Sequence, residues 1–346
     1  MPQGERSSHS PATDEEPKSV TQQDIAEALG LSRKTVSLAL NHSPVISPQT
    51  VALVQNAAKE IGYLREKHLS AVIGVLVPKF DDPLYNQVAD TISELARNEG
   101  YNVHFLSGND DIYQERETAE LFRSKKIEGL IFLNPSSPNF TAPGRYFQPI
   151  VAINANPILQ PGPEFIRIDV DETQGIETAI QHLADLGHRR IAYIGNIYPK
   201  SRQRLASYEK SIKDKSFGRG IVAYSGETNF LSQGYHACRH LIDSTDSPTA
   251  IMADNDYLAI GAIRAIYDKG LKVPQDISVI GFGNIPECLY TNPQLTTISV
   301  PTTELGVKAY QALIELLEED KTPPGNQIMV QTELVVREST APPPNH

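Results

Sequence analysis

Cysteine is nearly missing from these 346 residues. The two present, Cys238 and Cys288, lack the CxxC spacing of redox and zinc sites, so we expect reduced thiols in a cytoplasm and no disulfide framework. No apolar run approaches the ~18 residues that a membrane helix needs. A basic-then-apolar signal peptide is also missing; residues 1–17 are rich in Ser, Pro and Glu and read as a disordered tail, with 341–346 as a second one. Walker P-loop, HExxH and GxSxG motifs do not occur, and the nine histidines fall at no ligand spacing. Gly281-Phe282-Gly283-Asn284-Ile285-Pro286 opens like a dinucleotide fingerprint, but the third glycine is missing and Pro286 intervenes. Asn139-Phe140-Thr141 is a glycosylation sequon with no secretory route to use it. These absences argue against an enzyme, a cofactor and a metal site.

The length suits two or three domains. Net charge is −11, which at first opposes a nucleic-acid partner. The charge is uneven, however. Between residues 18 and 68 stand Lys18, Arg33, Lys34, Lys59, Arg65 and Lys67 against Asp24, Glu27, Glu60 and Glu66. That stretch carries +2 and the remainder −13. A weakly basic head on an acidic body fits a DNA reader whose body stays off the phosphates.

The head is spelled out residue by residue. Thr21 is an N-cap followed three positions on by Asp24, and Ile25, Ala26 and Leu29 form an apolar stripe that Gly30 terminates. After Leu31, Ser32 caps a second helix running from Arg33 to about Leu40, with Val36, Ala39 and Leu40 inward and Arg33, Lys34, Ser37 and Leu38 outward. Ser47-Pro48 opens a third helix, whose inner face is Val51, Val54, Ala57, Ala58 and Ile61 before Gly62. Two short helices about a glycine turn, the second basic in its first turn, make a helix-turn-helix. Arg33 and Lys34 are placed to reach major-groove base edges, and Arg or Lys commonly pairs with guanine. Thr21, Ser32, Thr35, Ser37, Asn41 and Tyr63 are candidate phosphate contacts, several of which could equally be only helix caps.

Beyond the head, apolar runs alternate with amphipathic ones. Strands are expected at 72–77, 102–106, 128–133 and 150–153, with helices at 84–98 and 113–125. A second series has strands at 165–168, 190–194, 220–223, 250–253 and 277–281, with helices at 173–186, 202–213, 232–243 and 257–269. A last helix at 302–317 and a strand at 328–336 are expected to return across a hinge. Such alternation implies doubly wound parallel sheets, and the Pro- and Gly-rich stretch 156–163 separates two α/β lobes. Ligands in open α/β sheets gather beyond the carboxyl ends of strands. That rule selects Asp81, Asp82 and Tyr85, Ser107 and Asn109, Asn134 and Ser136 in one lobe, and Arg202, Arg204, Asn255 and Asp256 in the other.

Val20-Thr21, Asp24-Ile25-Ala26, Gly30-Leu31-Ser32, Thr35-Val36-Ser37, Leu40-Asn41, Ser47-Pro48 and Gly62-Tyr63 resemble the LacI/GalR family of bacterial transcription regulators. The resemblance continues through His182-Leu183, Leu186-Gly187-His188-Arg189-Arg190-Ile191-Ala192, Asn255-Asp256, Val273-Pro274, Asp276-Ile277-Ser278-Val279-Ile280-Gly281-Phe282 and Leu295-Thr296-Thr297, ending at Glu333-Leu334-Val335-Val336-Arg337-Glu338-Ser339. It implies an N-terminal helix-turn-helix head and a two-lobed body of the periplasmic-binding-protein type I fold. The implied function is a homodimeric, cytoplasmic repressor of a palindromic operator, controlled by a sugar or related metabolite in the cleft. The implied domains are a tail at 1–18, the head at 19–63, a linker at 64–71 and the body at 72–340, with lobe 1 about 72–156 and 290–322 and lobe 2 about 162–288 and 326–338. Arg33 and Lys34 become the specificity pair, and Arg204, within Arg204-Leu205-Ala206-Ser207-Tyr208, the residue that binds effector hydroxyls or carboxylate. Asn255 becomes a pocket residue or a helix cap, and Phe230 an aromatic wall.

Three departures stand out. Leu38 holds a third specificity position usually occupied by Arg, so a thymine methyl suits it better than a hydrogen-bonding base edge. The linker is short, with Arg65-Glu66 where the family has Pro-Asn and a minor-groove hinge helix follows. Gly281-Phe282-Gly283-Asn284 lacks the usual pocket carboxylate at position 283, which leaves an anionic, larger or missing effector open. A solute-binding protein of the same fold is the rival reading, and deletion of residues 1–63 separates the two.

Overall fold

The computed structural model describes residues 21–40, 46–61, 71–108, 127–135, 149–155, 165–195, 201–217, 220–224, 229–244, 246–318 and 327–344, together with Tyr113, Glu117 and Leu121. The linker at 62–70 and most of the expected helix 113–125 lie outside these residues.

The head contains helices α1 (Gln22–Leu29), α2 (Arg33–Leu40) and α3 (Pro48–Glu60). Thr21 and Asp24 form a reciprocal capping box, and Gly30 ends α1 in the left-handed region with φ 65°. Ser32 and Ser47 cap the next two helices by accepting the backbone N–H groups of Thr35 and Thr50. Ile25, Ala26, Val36, Ala39, Val54, Ala57 and Ala58 bury one another in a single small core. Leu40, Val51 and Ile61 pack at its edge rather than inside it.

The body has two six-stranded sheets. The first takes β1 (Val72–Val77), β2 (Asn102–Ser107), β3 (Gly129–Leu133), β4 (Ile150–Ile153), β5 (Phe165–Val170) and β11 (Gln327–Val330), ordered β2-β1-β3-β4-β5-β11. Helices α4 (Pro83–Asn98) and α9 (Thr302–Glu318) belong with it. The second takes β6 (Ile191–Ile194), β7 (Ile221–Ala223), β8 (Ala250–Ala253), β9 (Ser278–Gly283), β10 (Thr296–Ser299) and β12 (Glu333–Val335), ordered β7-β6-β8-β9-β10-β12, with β12 antiparallel. Its helices are α5 (Glu172–Asp185), α6 (Ser201–Asp214), α7 (Phe230–Ile242) and α8 (Asp256–Asp268). Central strands are buried on both faces, which explains their unbroken apolar runs. Helices α7 and α8 cross closely enough that a Cβ on Gly261 would lie 2.1 Å from the Leu231 carbonyl oxygen.

Four expectations need correction. Strand β5, expected in lobe 2, pairs with β4 in the first sheet. The Pro/Gly-rich stretch 156–163, which lies outside the described residues, therefore joins two strands of one sheet and does not separate the lobes. Strand β10 was not anticipated, and it places residues 296–299 in the second sheet rather than in lobe 1. Its Thr296 and Thr297 look polar but are fully buried, because Thr296 N–H finds Ser339 Oγ and the Thr297 hydroxyl finds Asp256. The single strand expected at 328–336 is two, β11 and β12, in different sheets. Between them Thr332 donates to Gln174 Oε1 at 2.7 Å and lies near Asp171 O, tying two of the chain's crossings between sheets. The tail expected from residue 341 also starts later, since Ala341 N–H donates to Ser278 Oγ and its carbonyl lies 2.8 Å from His188 Nε2.

Candidate functional site

Helix α2 presents its chemistry by simple geometry. At ~100° per residue, positions 33, 34, 37 and 38 fall on one face, opposite Val36 and Ala39. Arg33 and Lys34 are exposed there, Ser37 and Leu38 half-exposed, and no acid shares the first turn. Ser32 and Thr35 also bond through their hydroxyls at 2.7 Å, and Thr21 Oγ1 donates to Asp24, so Thr21 and Ser32 serve as caps and Thr35 is tied to one. Asn41 and Tyr63 lie outside the described residues.

In the body, both sheets reverse strand order beside their first strands, β1 and β6, the places where open sheets leave a crevice. On lobe 1, Asp82 accepts the N–H groups of Leu84 and Tyr85 and so starts α4. Tyr85 is buried, and its hydroxyl is held above the ordinary phenol range by burial first and the Asp82 charge second, opposed by a bond with Asn154. The charges of Glu172 and Arg204 on lobe 2 also reach it, so the two lobes face each other here. Asp81 is exposed beside Asp82, and Ser107 donates to the Pro78 carbonyl at 3.1 Å. Both aspartates act on Tyr257, at the start of α8, which burial and then Glu287 push up to about 12. Asn109 and Ser136 lie outside the described residues.

Lobe 2 builds a compact polar cluster around Arg204. Its Nη2 donates to Glu172 Oε1 at 2.7 Å, and its Nη1 donates to the Asp254 carbonyl at 2.6 Å with Asp254 Oδ1 at 3.5 Å. The guanidinium lies 4.2 Å from the Phe282 ring centroid. Burial by itself would lower its pKa, but Glu172 and then Asp254 outweigh it, so the charge is locked on. Asp254 is wholly buried and also accepts Tyr193 Oη at 2.6 Å and Ser201 Oγ at 2.7 Å. Burial and then Asp254 raise the Tyr193 hydroxyl well above its usual range.

Asn255 is the cap of α8, its Oδ1 accepting Leu258 N–H at 2.9 Å. Asp256, a strand-end candidate in the sequence, turns inward and accepts Ile285 N–H and the Thr297 hydroxyl. Burial holds its carboxyl above the ordinary range. Gly283 stands beside it at φ 132°, and a Cβ there would come 3.0 Å from Asp256 Oδ2. A second carboxylate at position 283 would meet both backbone strain and a buried acidic neighbour. Phe230 begins α7 and packs on the lobe 2 core.

The structure therefore brings Tyr85 within electrostatic reach of Arg204, and Asp81 within reach of Tyr257. Sequence reasoning missed Glu172, Asp254, Tyr257 and Phe282. Asp254 had the same strand-end signal as Asn255, while Glu172 was hidden by the misplacement of β5.

A capped helix-turn-helix ahead of a body of two doubly wound sheets defines a DNA-binding transcription regulator. Residues 21–66 match the family described as bacterial regulatory proteins, lacI family, and residues 180–340 match a periplasmic binding protein-like domain. The HTH-type transcriptional repressor CytR of Escherichia coli (strain K12) is 31% identical over 336 residues, covering 92% of this chain and 96% of CytR. A crystal structure of the lac repressor dimer bound to operator and the anti-inducer ONPF superposes with a TM-score of 0.69 at 25% identity, covering 94% of this chain and 100% of that one. A LacI family regulator from Enterococcus faecium with bound ribose shares the fold, with a TM-score of 0.68 at 24% identity over 78% of this chain and 99% of that one. The chain belongs to the LacI family: it is a transcription regulator and not an enzyme.

Proposed function

We propose that this chain is a cytoplasmic, homodimeric repressor that binds a roughly palindromic operator and is controlled by a small hydroxylated metabolite in the cleft between its lobes. Residues 19–63 form the DNA-reading domain and residues 72–340 the effector-binding body. The observation that carries the reading is the outward face of α2, where Arg33 and Lys34 are exposed opposite a fully buried stripe. Those two side chains take guanine edges, and Leu38 takes a thymine methyl. Thr21, Ser32, Thr35, Ser37, Asn41 and Tyr63 supply phosphate contacts around them.

Asp81, Tyr85, Ser107, Asn109, Ser136, Arg204, Phe230 and Asn255 form the effector site, joined by Tyr257. Closure of the lobes on the ligand shifts the population of DNA-competent dimers. Dimerisation is supported by apolar exposure on lobe 2, where Leu289 and Tyr290 stand out beside Tyr267, whose hydroxyl reaches the Asn292 carbonyl. The lac repressor dimer on its operator and the ribose complex set the precedent for each part.

The test is selection from random duplexes by the full-length protein at moderate salt, with and without a panel of sugars and nucleosides. A two-fold related motif whose occupancy responds to one compound is expected. Equal binding to every duplex under all conditions overturns the proposal.

A further inference from the structure

We propose that Glu172 sets the charge class of the effector: by holding the guanidinium of Arg204, it makes the cleft receptive to uncharged hydroxyl-bearing or aminated ligands and closed to phosphorylated and carboxylated ones. This rests on the reading of the cleft as the effector site and narrows it.

A guanidinium grips an oxyanion when two parallel N–H groups are available together. In Arg204 both terminal nitrogens are committed, Nη2 to Glu172 Oε1 and Nη1 to the Asp254 carbonyl. One face of the group is covered by Phe282. Nε is a buried donor with no hydrogen-bond partner among the described residues, and each terminal nitrogen keeps one further N–H. Those donors serve a neutral hydroxyl or carbonyl, while the positive charge that a phosphate or carboxylate would need is already matched by Glu172 and Asp254.

The surrounding charge points the same way. Two carboxylates, Glu172 and Asp254, face one guanidinium. Across the cleft Asp81 and Asp82 add acid, with Lys79 the cation of that loop, and Glu287 adds more beside Tyr257. An incoming anion meets this field in a partly desolvated space, where like charges repel more strongly than in water.

Glu172 is the member of the cluster that can be changed without collapse. Asp254 is fixed by Tyr193 and Ser201, whereas Glu172 occupies the first turn of α5, where Gln retains its shape. The E172Q substitution therefore keeps an acceptor for Arg204 Nη2 and removes one negative charge from beside it.

The experiment titrates full-length wild type and E172Q with inorganic phosphate and glucose 6-phosphate, beside glucose and glucosamine, and follows thermal unfolding. Wild type is expected to ignore both phosphates, while E172Q binds them at least about tenfold more tightly and rises by about 2–4 °C at saturating concentration. The double variant E172Q/R204Q is expected to lose that gain, which places the phosphate at Arg204. Phosphate binding by wild type overturns the proposal. So does an E172Q protein, folded by circular dichroism, that gains no phosphate response, and so does a gain that survives in the double variant. The cleft reading is judged separately, by whether any uncharged sugar or nucleoside alters operator occupancy.

Discussion

Arg33 and Arg204 both lie in the first turn of a short helix, yet their surroundings give them opposite work. Arg33 is exposed on the rim of a core made from seven small or branched side chains, with no acid in its turn. Arg204 is enclosed by Glu172, Asp254 and Phe282. A free guanidinium can be spent on a partner from outside, whereas a locked one orders the protein that holds it. The head thus leaves its arginine on an open surface, and the body encloses its own in a preformed network.

The largest effect that tests this contrast is Asp254→Ala. It strands Tyr193 and Ser201 and strips Arg204 of one buried counter-charge, so urea unfolding of the body should show a loss of about 3–5 kcal/mol. A loss below about 1 kcal/mol would mean that the network is ornamental.

Next is Arg33→Ala, which should weaken operator binding by about 1–3 kcal/mol and relax preference at one base pair. Body unfolding should be unchanged; a parallel drop in body stability would erase the distinction between the two arginines. Thr21→Ala removes half of the capping box and should cost the head about 1 kcal/mol, read by hydrogen exchange of α1 amides.

The smallest effect concerns acid. His188 is held between Thr249, Ser278 and the Ala341 carbonyl, and burial lowers its pKa from the ordinary 6.5 despite that carbonyl. The unfolded chain therefore takes up the proton first. Stability is whole above about pH 6.5 and declines below it, by at most about 1.4 kcal/mol per pH unit. His188→Gln should flatten that part of the stability profile, and a profile identical to wild type would count against this role.

Much of the head was legible because its determinants are local. Thr21 with Asp24, Gly30, Ser32 and Ser47 each bond within four residues, and the 3.6-residue period alone assigns Val36 inward and Arg33 outward. In the body the elements were legible but not their partners. The run 165–168 read correctly as a strand, yet its sheet was fixed by pairing with β4 and β11. No strand was expected at 296–299, because the groups that satisfy Thr296 and Thr297, Ser339 and Asp256, are about forty residues away in sequence.

By itself the sequence determined the capped three-helix head, the α/β alternation and the basic pair on α2, since caps, periodicity and strand runs are set by near neighbours. Only the tertiary structure decided which sheet holds β5 and β10, that Arg204 is bound by Glu172 and Asp254, and that a carboxylate at position 283 would meet a buried acidic neighbour. Those facts depend on desolvation and pairing between distant segments, and such energies exist only once those segments have packed together.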